Sequence, residues 1–285
     1  MKQKLTMFFL MTALAVLLTG CGGSATTGTS RESASDSGSK AENQTVDNGT
    51  DTSDPVDTKQ DSKKNDDDDS GEGENVLFTK RDLEQSPDLT GAKTLTVKDG
   101  ETLNINAEGT YIITGTAKNC TIKVDADKKA KVQLVLQDVT VTNTDFPAIY
   151  VVSADKCFVT LQGSNSLSVT GSFRSDGETN TDAVIYSRED LTFNGTDTLT
   201  LTSSENGISG KDDVKFTGGT YVITSDLDAI EANDSVAVYD GTFTIVTKKD
   251  GIHSENSDDN TVGWIVIAGG TMNIQAKSDC LQATT

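Results

Sequence analysis

The sequence predicts an all-β fold: a parallel, right-handed β-helix solenoid of about 22 residues per coil, preceded by a signal peptide and a linker. Two observations carry the prediction. First, one short phrase recurs at nearly fixed spacing. Its copies are Asp182-Ala183-Val184, Asn206-Gly207-Ile208, Asp228-Ala229-Ile230, Asp250-Gly251-Ile252 and Asp279-Cys280-Leu281, at steps of 24, 22, 22 and 29 residues. A period in the twenties is what one coil stacked on the next produces. Second, the runs between the copies alternate apolar and polar residues and are rich in β-branched types, and no 12-residue window holds a convincing helical period. A barrel or sandwich would need paired hairpins and has no reason to repeat one phrase.

The elements follow in order. Residues 1–21 open with Lys2 and Lys4, are apolar from residue 8 to residue 18, and end Leu18-Thr19-Gly20-Cys21. A basic start and a short apolar core make a secretory signal, too short for a membrane-spanning helix with its own flanks. The closing tetrapeptide is similar to a bacterial lipobox. That similarity implies cleavage before Cys21, lipid on its sulfur and an extracellular protein anchored to the bacterial cell membrane. An ordinary signal peptide with an incidental cysteine is the alternative. Residues 22–75 are Ser, Thr, Gly, Asp, Asn and Lys, with the run Asp66-Asp67-Asp68-Asp69. They cannot bury enough surface to offset chain entropy and read as a disordered acidic tether.

Residues 76–285 are the folding part, long enough for a substantial core, with 17 basic and 30 acidic side chains. That balance argues against nucleic acid and against direct contact with an anionic membrane, so the membrane enters only through the lipid anchor. Cys120, Cys157 and Cys280 are widely spaced and odd in number, without disulfide or zinc spacing. They are expected as free, small hydrophobes. Strands are expected at 94–97, 103–105, 111–113, 120–124 and 132–136. From residue 182 the apolar columns are Val184, Ile208, Ile230, Ile252, Leu281; Leu191, Val214, Val236, Ile265; and Phe193, Phe216, Val238, Ile267. Within the phrase, the Ile is the interior stack and the Gly or Ala gives the tight turn. Seven extra residues at 254–263 form a loop on one face. The chain stops four residues past the last phrase, so the C-terminus reads as incomplete or covered by a partner.

The phrase also lines up oxygen donors. Asp182, Asn206, Asp228, Asp250 and Asp279 are expected one per coil, beside a second column of Glu189, Asp212 and Asp234. Carboxylates stacked at strand spacing repel by about 1 kcal/mol in water and by several kcal/mol at an effective dielectric near 20. Oxygen donors without a His or Cys cluster select a hard cation, Ca²⁺ before Mg²⁺. The alternative is that these are turn residues whose side chains cap the backbone.

No catalytic residue is assigned. His253, the single histidine, is expected at the surface, and no Ser/His/Asp arrangement forms around it. Lys211, Lys248, Lys249 and Arg188 stand beside the ladder but do not repeat in register, and they read as solvated charges. The ligand-binding candidates are Trp264, at a coil edge, with Lys248 and Lys249. Tyr150, Tyr186 and Tyr239 are further aromatic candidates.

Three segments carry a family resemblance: Gly109-Thr110-Tyr111-Ile112-Ile113-Thr114-Gly115-Thr116, Lys131-Val132-Gln133-Leu134-Val135-Leu136 and Pro147-Ala148-Ile149-Tyr150-Val151. With the coils that follow, they resemble the bacterial calcium-containing, carbohydrate-binding lipoproteins with a polysaccharide-lyase-like parallel β-helix. The resemblance spans residues 76–285. It implies binding of cellulose or pectin-like polysaccharide rather than cleavage, and calcium at Asp182, Asp228, Asp250 and Asp279. Asn206, Ala229 and Cys280 depart from the strict Asp-Gly phrase. The expected function is therefore a cell-surface lipoprotein binding polysaccharide through a calcium-stabilised β-helix. A calcium-dependent, pectate-type lyase and a structural or adhesin stalk are the alternatives.

Overall fold

The computed structural model describes residues 77–284 together with the backbone strand Ala15–Leu18. The lipobox at Cys21 and the tether at 22–75 lie outside the described residues. Among the described residues there are strands and no α-helix, and no helix is long and apolar enough to cross a membrane.

The strands stand in three columns of parallel neighbours. The first column is an eight-stranded sheet: Thr102–Ile105, Thr121–Asp125, Ile149–Ser153, Ala183–Ser187, Asn206–Gly210, Ile230–Ala232, Ile252–Ser254 and Leu281–Ala283. The second holds Lys156–Gln162, Asp190–Gly195, Asp213–Phe216, Ser235–Val238 and Trp264–Ile267. The third holds Ser164–Val169, Thr198–Ser203, Thr220–Ser225, Thr242–Thr247 and Thr271–Gln275. Two longer strands, Gly109–Lys118 and Lys131–Asn143, join the last two columns, and they pair with each other through a bulge at Thr114/Gly115. The chain therefore visits the three columns in turn and begins again one strand higher. Such parallel pairing with no hairpins is the arrangement of a stacked-coil, lyase-like fold.

Alternation within each strand sends one side chain in and the next out. Leu191 pairs with Val214, Val214 with Val236 and Val236 with Ile265, as the repeat predicts. Phe193 and Phe216 stack with ring centres 4.9 Å apart, and Tyr221 stacks on Phe243 at 4.8 Å. Identical register carries each aromatic onto the next, so the core is a continuous stack rather than one cluster per coil.

Three expectations change. In the first coil the register is one residue off the phrase: Ala183, not Asp182, pairs with Asn206, and Ile185, not Val184, pairs with Ile208. Both Val184 and Ile185 are buried, so apolarity alone could not choose between them. The glycines of the phrase serve close approach rather than a special turn. A Cβ on Gly207 or Gly251 would stand 2.5 Å from the carbonyl oxygen of Ala229 or Cys280 in the next coil. Cys120 and Cys157 are free and buried, but Cys280 is disulfide-bonded.

An N-terminal strap, residues 77–85, packs over the outer side of the second column. Asp82 is fully buried there and accepts from the Thr79 backbone N–H (2.9 Å), Thr192 Oγ1 (3.1 Å) and Lys156 Nζ (3.3 Å). Burial pushes its carboxyl up, but the Thr79 N–H, Lys156 and Lys215 outweigh it and hold the group below its ordinary 3.8. At the far edge of the third column, Ala15–Leu18 pairs in parallel with residues 271–274.

Candidate functional site

The outer side of the eight-stranded sheet carries one residue per coil, aligned by register: Asn104, Lys123, Tyr150, Tyr186, Ser209, Glu231, His253 and Gln282. Tyr150, Tyr186, Ser209 and His253 are buried. A recess opens toward each end.

The first recess, about 430 Å³, is lined among others by Asn104, Lys123, Phe146, Tyr150, Arg174 and Asp176. Phe146 meets the edge of Tyr150 with centroids 5.6 Å apart, and Tyr150 meets Tyr186 at 5.8 Å. The Arg174 guanidinium lies 4.0 Å over the Phe146 ring and 3.6 Å from Asp145. Tyr150 donates its hydroxyl to Asp176 Oδ2 at 3.0 Å. Burial, and then that bond, push the Tyr150 phenol up to about 12, so it stays a neutral donor.

The loop bearing Phe146 is pinned from beneath. Buried Asn143 donates to the Cys120 and Phe146 carbonyls (2.9 and 3.0 Å) and accepts from Cys120 N–H (2.9 Å). Thr121 Oγ1 donates to the Pro147 carbonyl at 2.8 Å, and Asn119 Oδ1 accepts from Thr144 N–H at 3.0 Å. Asn119 holds a positive φ of 53°, a conformation that asparagine tolerates well. The result is a fixed, half-buried Phe146 ring backed by buried Tyr150 and ringed by polar groups, a composition that suits a polyhydroxylated ligand.

The second recess, about 420 Å³, is lined by Glu231, Asn233, His253, Glu255, Asn256 and Asp258, among others. The loop between Ile252–Ser254 and Trp264–Ile267 supplies much of it, so the predicted insertion does border a recess. The ladder runs beside it. Asn206 Oδ1 accepts from Asp228 N–H (2.9 Å), Asp228 Oδ1 from Asp250 N–H (3.0 Å) and Asp250 Oδ1 from Asp279 N–H (2.8 Å). Each rung thus caps the backbone of the next. Asp182, one residue out of register, makes no such bond, and its side chain accepts from Asn180 Nδ2 instead.

Asp228 Oδ2 also receives Lys249 Nζ at 2.7 Å and faces His253 Nδ1 at 3.2 Å. His253 is buried, contrary to the surface position expected, because the ladder carboxylate gives its ring a partner inside. The bond to Asp228 holds its imidazole above the ordinary 6.5 despite burial. Burial raises the Asp228 carboxyl, but His253 and Lys249 outweigh it and hold the group below 3.8.

The second acidic column behaves differently. Burial, then Asp190, Asp234, Glu189 and Asp213, push the Asp212 carboxyl up to about 6. Among the described residues, the set of acidic, His or Cys ligands whose atoms come within 4.8 Å of one another is Asp228, Asp250 and His253. A hard cation fits poorly there, since an imidazole and the Lys249 ammonium already neutralise the carboxylates. Glu189, Asp212 and Asp234 offer oxygens alone, but among the described residues they do not bring three ligand atoms within 4.8 Å of one another.

Of the ligand candidates, Lys249 sits in the ladder cluster, Lys248 pairs with Asp226 at 2.7 Å on the surface, and half-buried Trp264 lines neither recess. Of the aromatic candidates, Tyr150 lines the first recess. Sequence reasoning missed Phe146, Arg174 and Asn104. They come from separate coils and repeat no phrase; the only signal was Phe146-Pro147 interrupting a polar turn.

The comparisons agree with this architecture. A curated protein of Acetivibrio thermocellus, described as "Carbohydrate-binding domain-containing protein", is 42% identical over 194 residues, covering 66% of this chain and 68% of its own length. The solved polysaccharide lyase-like protein from C. thermocellum, a gadolinium derivative, superposes with a TM-score of 0.60 at 25% identity, covering 66% of this chain and 94% of that one. The family model described as "Carbohydrate-binding domain-containing protein" matches residues 99–285. By that match, this chain belongs to the carbohydrate-binding domain-containing protein family.

Proposed function

We propose that this chain binds a cellulose- or pectin-like polysaccharide at the recess of Phe146, Tyr150 and Arg174, on a right-handed β-helix displayed at the bacterial cell surface. The carrying observation is the pinned aromatic surface with Arg174 stacked 4.0 Å over Phe146, in a member of a carbohydrate-binding family. A sugar ring can lie against half-buried Phe146 and the Arg174 guanidinium while Asn104, Lys123 and Asp176 meet its hydroxyls.

Calcium braces the fold in this reading, held by oxygen donors of the two acidic columns. Burial first, and then Asp190, Asp234, Glu189 and Asp213, push the Asp212 carboxyl up, and a cation beside it would favour its ionised form. Chelator is then expected to lower Tm and added Ca²⁺ to restore it.

The test of binding is affinity electrophoresis in gels containing polygalacturonate or a soluble cellulose derivative. Wild type is expected to be retarded, and Arg174→Ala and Phe146→Ala to migrate freely with unchanged circular dichroism. Retardation that survives both substitutions moves the site elsewhere; no retardation on any glycan ends the reading.

A further inference from the structure

The outer side of the third column belongs to neither recess. In its five strands, from Ser164–Val169 to Thr271–Gln275, the even-numbered places along each strand are buried and the first, third and fifth face outward. Of these fifteen outward residues eleven are Ser or Thr, two are Val, one is Asn and one Gln, so none is charged. The whole chain carries a formal net charge of −20, and the outer side of the first column includes Lys123 and Glu231. Strand propensity explains threonine on an exposed sheet, but it does not explain the exclusion of Lys and Glu, which keep such surfaces soluble.

Register runs through the five strands without a shift: Thr200 pairs with Val222, Val222 with Thr244 and Thr244 with Asn273. The outward groups therefore form straight rows, about 4.8 Å apart from coil to coil and about 6.6 Å apart along each strand. Among the described residues, none of the eleven hydroxyls bonds to another group of the protein, whereas Thr121, Thr160 and Thr192 of the other columns each donate theirs internally. The face thus presents hydroxyls beside methyls, as a pyranose presents O–H beside C–H. A single soluble chain repeats along one line. This face repeats in two directions, as the surface of a polymer crystal does, and its neutrality favours an uncharged polymer over a uronate.

We propose that the outer side of the third column docks on the flat surface of a crystalline, uncharged polysaccharide of the cellulose class, through many weak hydroxyl and methyl contacts. The choice of carbohydrate over another hydroxylated solid, such as ice, rests on the family and on the function proposed above. The face itself is independent of the recess: the recess takes a single chain, and the third column takes an ordered solid.

The experiment is depletion of the full chain from solution by microcrystalline cellulose, run beside gel retardation on soluble glycans. Wild type is expected to be depleted saturably. Thr224→Lys combined with Thr244→Lys puts two ammonium groups on the face and is expected to weaken binding to the solid roughly tenfold or more, with circular dichroism and retardation unchanged. Val222→Lys repeats the test at a position whose side chain is already exposed. Phe146→Ala is expected to do the reverse, losing retardation and keeping depletion. No depletion of wild type, equal depletion of the lysine variants, or depletion lost in Phe146→Ala overturns the proposal. Ice shaping without cellulose depletion overturns it too and gives the face to ice. Depletion without retardation on any soluble glycan ends the recess reading and leaves this one standing.

Discussion

Asp228 joins more groups than any other side chain of the ladder. One oxygen caps Asp250 N–H, while the other receives Lys249 and His253. Asp228→Ala leaves three groups without a partner inside the protein, and a loss of about 2–4 kcal/mol is expected in urea unfolding. Asp228→Asn keeps the capping oxygen and is expected to lose less. Equal losses would show that the cap contributes nothing. The residue-level reading of the sequence caught the ladder as a column of oxygen donors. It could not apportion their neutralisation between metal and protein, because that depends on Lys249 and His253 reaching sideways between coils, which no spacing announces.

At the scale of the strand and coil, register was legible from residue 190 onward, where each apolar column has a single candidate per turn. It slipped at 182–185, where Val184 and Ile185 offered equal claims and only pairing with Ile149 decided. Gly251 tests the stacking. The neighbouring coil's Cys280 carbonyl and Ile274 methyl both lie 2.5 Å from where its Cβ would be. Gly251→Ala is expected to cost about 1–3 kcal/mol in denaturant midpoint analysis, even though the preceding coil accommodates Ala229 at the same place. An unchanged midpoint would mean that the coils are not held at the spacing described.

For the molecule as a whole, the parallel all-β class was written in the repeat, but the recess proposed to bind carbohydrate was not. Asn104 stands on a strand and Phe146 and Arg174 on loops of other coils, and only the winding of the chain assembles them. The strap at 77–85 was likewise invisible, since its anchors, Asp82 and Gln85, are single polar residues that reach coils more than a hundred residues on. Because the Asp82 carboxyl is held below its ordinary value, its contribution is fully present above about pH 4 and is lost as pH falls through the lower folded value. Amide hydrogen exchange at acid pH is expected to show residues 77–85 opening before the coils do. Simultaneous opening would mean that the strap is not tied by Asp82.

The ladder has a direction. In every bond the acceptor side chain belongs to the earlier coil and the N–H to the later one: Asn206 before Asp228, Asp228 before Asp250, Asp250 before Asp279. A chain emerging from the ribosome N-terminus first therefore always finds the acceptor in place when its partner arrives. Growth in that order adds each coil to a finished template, and the spacing of one turn is copied forward rather than found anew.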